Sequence, residues 1–446
     1  MKILDKLLLR TNLSGNRRKV VKNVYWAVVG KLVNIASGLL VGVLVARNLG
    51  PENFGLMNYV ISYVTLFSVL AAFGLDNIEV RELSRTGADR NTLMGTAFVL
   101  RIGFALVALL LILGTLLSFE SDHFTFVMVM VYSLSLVFSS LNVIRNYFTS
   151  IILNEYVVKT EISRTVLGAL IKIVLLINNC SVGWFIVASM FDFFLVGAGY
   201  LFSYRRKVGT ILEWNVDWGV AKMLIRASFP LLLSGAAVII YQRINAVMIR
   251  NMIDNASVGQ FSAAAKISEI AIFIPMVIAQ SITPLLVKAH EADPQKYLEK
   301  KQYFVDIMVW SSIAISVAMA LLAAPGIRIL FGEKYLEAIP VLQIMSWKAL
   351  ATALFGASGQ LIVIENLHKY VVLRNLAGCV FSVVLNYYLI PVWGIAGSAI
   401  ATIVAMIFAG YFSHLIIRPY RYLFTVQTKA LALGWRQLVG LKHLWR

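Results

Sequence analysis

Long apolar runs broken by brief polar punctuation organise the whole chain. About 20 apolar residues in helical form match the hydrocarbon thickness of a bilayer. Twelve windows of this kind occur, at about 24–46, 53–74, 93–117, 124–144, 165–177, 184–203, 229–249, 258–280, 304–325, 340–363, 371–390 and 394–416. The window 165–177 is the weakest, being short and carrying Lys172. The pattern predicts an all-α polytopic membrane protein with about 12 transmembrane helices. The most polar long interval, 204–228, divides the windows into two sets of six. This predicts an N-terminal six-helix bundle over 1–210, opening with a basic cytoplasmic segment. A second six-helix bundle is expected over 211–417, followed by a basic tail over 418–446.

The two sets resemble each other at one place. ARNLGPENFGLMNYV (46–60) follows the first window, and IRNMIDNASVGQFSAAAKI (249–267) follows the seventh. Arg47-Asn48 aligns with Arg250-Asn251, and Gly55 with Gly259 after a one-residue shift. Equal span counts and this shared turn predict a duplicated bundle. Because each unit holds an even number of spans, both keep one orientation, related by a pseudo-two-fold along the membrane normal. Repeats of this type place their substrate between the halves.

Composition agrees: 59% of the 446 residues are hydrophobic and 14% charged, and the mean hydropathy is +0.80. A net charge of +18 points to nucleic acid in a soluble protein, but here the cations collect in alternate loops, as the positive-inside rule expects. They crowd the N-terminal segment (Lys2, Lys6, Arg10, Arg17, Arg18, Lys19, Lys22), the central loop (Arg205, Arg206, Lys207, Lys222, Arg226) and the tail (Arg418, Arg421, Lys429, Arg436, Lys442, Arg446). Both termini are therefore expected in the cytoplasm, with anionic membrane lipids as partners and no nucleic acid. The first apolar run is too long for a cleaved leader. Cys180 and Cys379 have no partner spacing, and the histidines are scattered. Neither a disulfide framework, a metal site nor a resident cofactor is expected. No phosphate-binding Gly-Lys-Ser/Thr loop occurs, and the outside loops are short, so neither ATP use nor an enzyme site is expected.

Seven basic residues fall inside the apolar windows: Lys31, Arg101, Lys172, Arg243, Lys266, Lys348 and Arg374. Each costs about 2.5–3.5 kcal/mol at a helix centre on insertion scales. Such residues survive where they face a watery cavity or a partner. Acids in the same windows are fewer, namely Asp192, Glu269 and Asp306. A net positive interior suits an anionic cargo.

Four segments carry a family likeness: ARNLGPENFGLMNYV (46–60), VGQFSAAAKI (258–267), LFGEKYLEAIPVLQIMSW (330–347) and LNYYLIPVWGIAGSAIATIVA (385–405). In order and spacing the set resembles the polysaccharide-biosynthesis flippases of the multidrug, oligosaccharidyl-lipid and polysaccharide exporter superfamily. The resemblance implies a V-shaped pair of bundles that alternate access. It implies an undecaprenyl-pyrophosphate-linked oligosaccharide as cargo, such as an O-antigen repeat unit, moved across a bacterial inner membrane beside the polysaccharide polymerase machinery. Proton or sodium coupling is implied as well. Two departures are visible. Many relatives carry an Asp in the seventh span near Asn245, whereas YQRIN (241–245) has none; the first span offers Lys31 and Asn34 where some drug-exporting cousins have Asp.

Lys31, Asn34, Gly38 and Gly42 share one helical face, as do Arg374, Gly378, Ser382 and Asn386. Such faces suit a cavity wall or a tight helix seam. Arg101 and Arg243 are favoured as pyrophosphate contacts, because a guanidinium presents a planar fork and keeps its charge. The competing reading for Arg101 is a buried pair with an acid such as Asp192. Lys172 and Lys348 complete the expected cavity cations. Lys266 and Glu269, three apart, suit a mutual pair. Asp192 and Glu269 are the candidates for proton coupling, since burial raises a carboxyl pKa. Trp347, deep in the tenth window, is a candidate for stacking on a sugar. The alternatives are a drug–ion antiporter of the same fold, which calls for acidic rather than basic cavity residues, and a peptidoglycan-precursor flippase, whose relatives add two further spans.

Overall fold

The computed structural model describes residues 15–87 and 89–439. Of residues 15–29, 31–33, 35 and 437–439 only the helical backbone is described. The described chain is helical from end to end. In order the helices are α1 (Gly15–Ala72), α2 (Leu75–Leu83), α3 (Arg90–Phe119), α4 (His123–Phe138), α5 (Asn142–Ser150), α6 (Asn154–Ile177), α7 (Val182–Lys207) and α8 (Trp218–Met252). They continue as α9 (Asn255–Ala292), α10 (Pro294–Leu321), α11 (Ala323–Leu330), α12 (Ala338–Met345), α13 (Lys348–Ile364), α14 (Val371–Ile407), α15 (Ser413–Ile416) and α16 (Arg421–Val439). A π-helical turn, Phe408–Phe412, joins α14 to α15.

Nine helical segments among the described residues are long and apolar enough to span a membrane. Twelve windows become nine for local reasons. The first two fuse in α1, which bends at Gly50 (φ 72°) ahead of Pro51. The last two fuse through α14, which bends at Gly394 (φ 57°) after Pro391. Glycine adopts positive φ without a Cβ clash, and proline removes a helical hydrogen bond. The weak fifth window lies in α6, whose charged residues Glu155, Lys159, Glu161, Arg164 and Lys172 keep it outside the nine.

Aspartate caps α3, α4, α9 and α10. Asp89 accepts from the backbone N–H of Asn91 and Thr92, Asp122 from Phe124 and Thr125, Asp254 from Ser257, and Asp293 from Gln295 and Lys296. Each supplies an acceptor to first-turn donors that have no partner within the helix.

The chain forms two compact units, Met1–Gly42 with Phe67–Leu232 and Val43–Leu66 with Leu233–Arg446. The core of the first gathers Leu75, Met94, Val143, Phe148, Tyr200, Tyr204 and Leu224. The core of the second gathers Leu286, Phe304, Met308, Ala357, Leu361, Tyr420 and Leu423. Segment 43–66 groups with the second unit although it lies early in the sequence, and its repeated glycine shows why. A Cβ on Gly55 would overlap the carbonyl oxygen of Asn255, and one on Gly259 that of Pro51. The two repeat-related glycines thus let their helices touch backbone to backbone, and dispersion at such small-residue seams drives helix association in lipid. The start of the tail is built into the second unit too. Leu423, Gln427 and Ala430 of α16 are buried, and the Gln427 amide donates to Leu354 O (2.8 Å) and Gly410 O (3.1 Å). Trp435 is exposed; Leu438, Leu441 and Trp445 lie outside the described side chains.

Candidate functional site

In the first unit, Arg101 and Lys172 are held by acids. Helix α2 is short and starts at Gly74, whose φ of 68° and close approach to Ser228 and Leu232 admit only glycine. That turn sets Asp76 and Glu79 beside Arg101 on α3. Arg101 Nε donates to Glu79 Oε1 (2.7 Å), and its Nη2 donates to Asp76 Oδ1 (2.7 Å) and Glu79 Oε2 (3.0 Å). Asn146 on α5 donates to both acids (2.9 and 2.7 Å), and Arg145 adds an ion pair to Asp76 at 3.4 Å. Arg101 is 2% exposed and Glu79 fully buried. The sequence reading offered Arg101 to a pyrophosphate and named Asp192 as its competing partner. The structure instead engages its donors with Glu79 and Asp76, which lie in a stretch the hydropathy pattern treats as loop.

Asp192 belongs to the other pair. Lys172 on α6 donates to Asp192 Oδ2 on α7 at 2.7 Å, both side chains being largely buried. A Cβ at Gly168 would overlap the Asp192 carboxylate, so a glycine one turn before Lys172 makes room for the pair. Asn34 accepts from Thr165. The side chain of Lys31 lies outside the described residues.

The second unit arranges its charges differently. Arg243 on α8 and Glu269 on α9 are exposed, and Lys348, the first residue of α13, is half-buried. Lys348 lies within the electrostatic reach of both, attracted by Glu269 and repelled by Arg243. The break between α12 and α13 at Ser346–Trp347 presents this lysine. The carbonyl of Ser346 accepts from Ser316 Oγ at 2.9 Å. Trp347, at the cap position of α13, is 40% exposed beside Lys348. Lys348 thus stands in the field of one acid and a second cation, next in sequence to an exposed indole, and the positive end of α13 adds to that field. Lys266 lies over the Phe54 ring at 6.0 Å.

Arg374 is not on an open wall. It is 2% exposed, stacks on the Phe355 ring at 4.1 Å and donates from Nη1 to Ser358 Oγ at 3.1 Å. Its face of α14 is a seam: Gly378 meets Ala409, and Asn386 accepts from Ser398 at 2.7 Å. Asn245, where an acid was missed in the sequence, donates to Thr402 at 2.9 Å.

Comparison with known proteins adds a family and a fold. The family model described as polysaccharide biosynthesis protein matches residues 20–290, more than half of the chain. An uncharacterized membrane protein of Methanocaldococcus jannaschii is 23% identical, over 87% of this chain and 82% of its own length. Among solved structures, an inward-facing multidrug resistance MATE family transporter of the MOP superfamily superposes with a TM-score of 0.66 at 16% identity, covering 89% of this chain and 96% of that one. The lipid II flippase MurJ, in an inward closed conformation, gives 0.63 at 14% identity, covering 94% and 93%. A MOP superfamily transporter from Pyrococcus furiosus, described as having reversed binding-pocket polarity, gives 0.55 at 18% identity, covering 93% and 98%. At these identities the solved structures establish the fold.

Proposed function

Since this chain belongs to the polysaccharide biosynthesis protein family, we propose that it is a flippase for a lipid-linked oligosaccharide carried on a pyrophosphate, of the undecaprenyl type. The glycan and pyrophosphate cross without covalent change while the polyprenyl chain stays in lipid. The observation that carries this reading is that Lys348 lies within electrostatic reach of Arg243 as well as of the acid Glu269. Two accessible cations at membrane depth are expensive unless a ligand or water meets them. A pyrophosphate supplies the opposite charge, and the low local dielectric strengthens that attraction. Trp347 offers an aromatic face to the first sugar. A drug–ion antiporter, whose cargo is commonly cationic, would call for the reverse balance of sign.

Arg101 and Lys172 serve, in this reading, as internal ties of the first unit, with Asp192 held by Lys172. Glu269 is left as the acid for proton or sodium coupling. The setting is the cytoplasmic membrane of a bacterium, with both termini inside and the O-antigen type of polymerase downstream. The test is a transport measurement at matched protein level, following protected lipid-linked glycan in proteoliposomes. The double variant Arg243→Ala/Lys348→Ala should lose at least tenfold in rate, about 1.4 kcal/mol of barrier, while folding like the parent. An unchanged rate would remove both cations from the mechanism.

A further inference from the structure

The second unit buries one guanidinium that no acid answers. Arg374 stands in the first turn of α14, 2% exposed. Among the described residues no carboxylate lies within ion-pair distance of it. A guanidinium carries donors on every nitrogen, yet Arg374 makes a single hydrogen bond, from Nη1 to Ser358 Oγ. Its Nε is buried with no partner. The ring of Phe355 offers a weak cation–π contact at 4.1 Å. The phenols of Tyr241 and Tyr420 lie close enough to interact electrostatically, but a neutral phenol does not balance a full charge.

His414 does not help. The Gln427 amide nitrogen donates to Leu354 O and Gly410 O, so its Oε1 faces His414 Nδ1 at 3.0 Å as an acceptor. The imidazole Nδ1 is therefore the donor, and Nε2 keeps only a lone pair in the neutral ring. That Nε2 is likewise buried with no partner, and the ring lies in the field of Arg374. A buried charge is tolerated when it is paired and hydrogen-bonded. This one has no acid and a single hydrogen bond, and the groups around it donate or are neutral.

We propose that Arg374 holds a small monovalent inorganic anion inside the second unit, of the chloride class, as a structural counter-ion separate from the cargo site. Burial on every side selects for size: an ion without a lipid tail or sugar can be enclosed against Nε, whereas a phospholipid headgroup cannot.

The test uses the full-length protein in detergent, unfolded by heat in sodium chloride or sodium gluconate at one ionic strength. A ligand that binds only the native state stabilises it in proportion to the logarithm of its concentration above Kd. Chloride should raise the midpoint by a few degrees, and above Kd the rise should follow that logarithm. In Arg374→Gln the response should vanish. In Ser358→Ala, which barely changes volume and frees the guanidinium from its anchor, the onset of the rise should move to several-fold higher chloride. Chloride-35 line broadening by the wild-type protein, reversed by bromide, should give the same affinity without any variant. Equal midpoints in the two salts for the wild type would overturn the proposal. So would a full chloride response in Arg374→Gln, or an unmoved onset in Ser358→Ala.

Discussion

The two units solve one physical problem in opposite ways. Each must keep positive charge among apolar helices. The first gives Arg101 two carboxylates, themselves held by Asn146, and gives Lys172 its own aspartate. The second also pairs a lysine, Lys301, with Glu365 at a helix end. Among the described residues, however, it also buries Arg374 without an acid and sets Lys348 in reach of both Glu269 and Arg243. A pair satisfied on both sides holds helices in register and has little attraction left for a ligand. Cations that exceed their acids keep theirs. In the proposed reading, anion recognition belongs to the second unit and rigidity to the first.

Breaking the Arg101 network should give the largest effect. Arg101→Ala leaves Glu79 buried and uncompensated, and removal of one partner from a buried pair costs about 3–5 kcal/mol. Thermal unfolding of the purified protein should show a large drop in midpoint or loss of folded material. Arg243→Ala alone should stay within about 0.5 kcal/mol of the parent, as exposed substitutions do. If the two variants melt alike, the contrast between the units is lost.

Much of this contrast was invisible along the chain, for identifiable reasons. The spans were legible because a bilayer imposes length and apolarity on each one separately. The repeat was legible in Gly55 and Gly259, and the structure explains those glycines by a mutual backbone contact. The basic residues at membrane depth were found by the same hydropathy scan. Their partners were not. Glu79 and Asp76 lie 22 and 25 positions from Arg101, in a segment whose polarity reads as loop but which folds as α2. The stripe Arg374–Gly378–Ser382–Asn386 was legible as one face, yet a cavity wall and a helix seam share that periodicity. Only the packing of Gly378 on Ala409 decides for the seam. For Asp192, spacing along the chain gave no way to choose between Arg101 and Lys172; the tight fit at Gly168 makes the choice.

The Lys172–Asp192 pair should give an intermediate effect and sharpens the comparison within the first unit. It is less enclosed than Arg101, with side chains 19% and 14% exposed. Lys172→Met should therefore cost about 1–2 kcal/mol, below the range for a fully buried pair. Adding Asp192→Asn should recover part of that loss, because the double variant leaves no unpaired charge. Unfolding of the two single variants and the double variant gives the coupling energy. A coupling near zero would mean that Lys172 and Asp192 are each solvated separately, and the first unit would then hold a single tie.

The smallest effect should come from two residues chosen because the units do not differ there. Asp89 caps α3 in the first unit and Asp293 caps α10 in the second, both outside the spans. The hydroxyl and backbone N–H of Thr92 hold the Asp89 carboxyl below its ordinary value. Backbone N–H donation from Lys296 and then Gln295 does the same for Asp293. A folded pKa below the unfolded one means the native state binds its proton less readily. The stabilisation is then complete above the unfolded value and disappears as pH falls through the folded one. Asp89→Ala and Asp293→Ala should each lower the midpoint slightly at neutral pH and by less near pH 3, with matching profiles. Equal profiles would confine the difference between the units to charges at membrane depth. A larger loss in one unit would mean that the helix ends also differ in how firmly they are held, and the assignment of rigidity to the first unit would need that contribution subtracted.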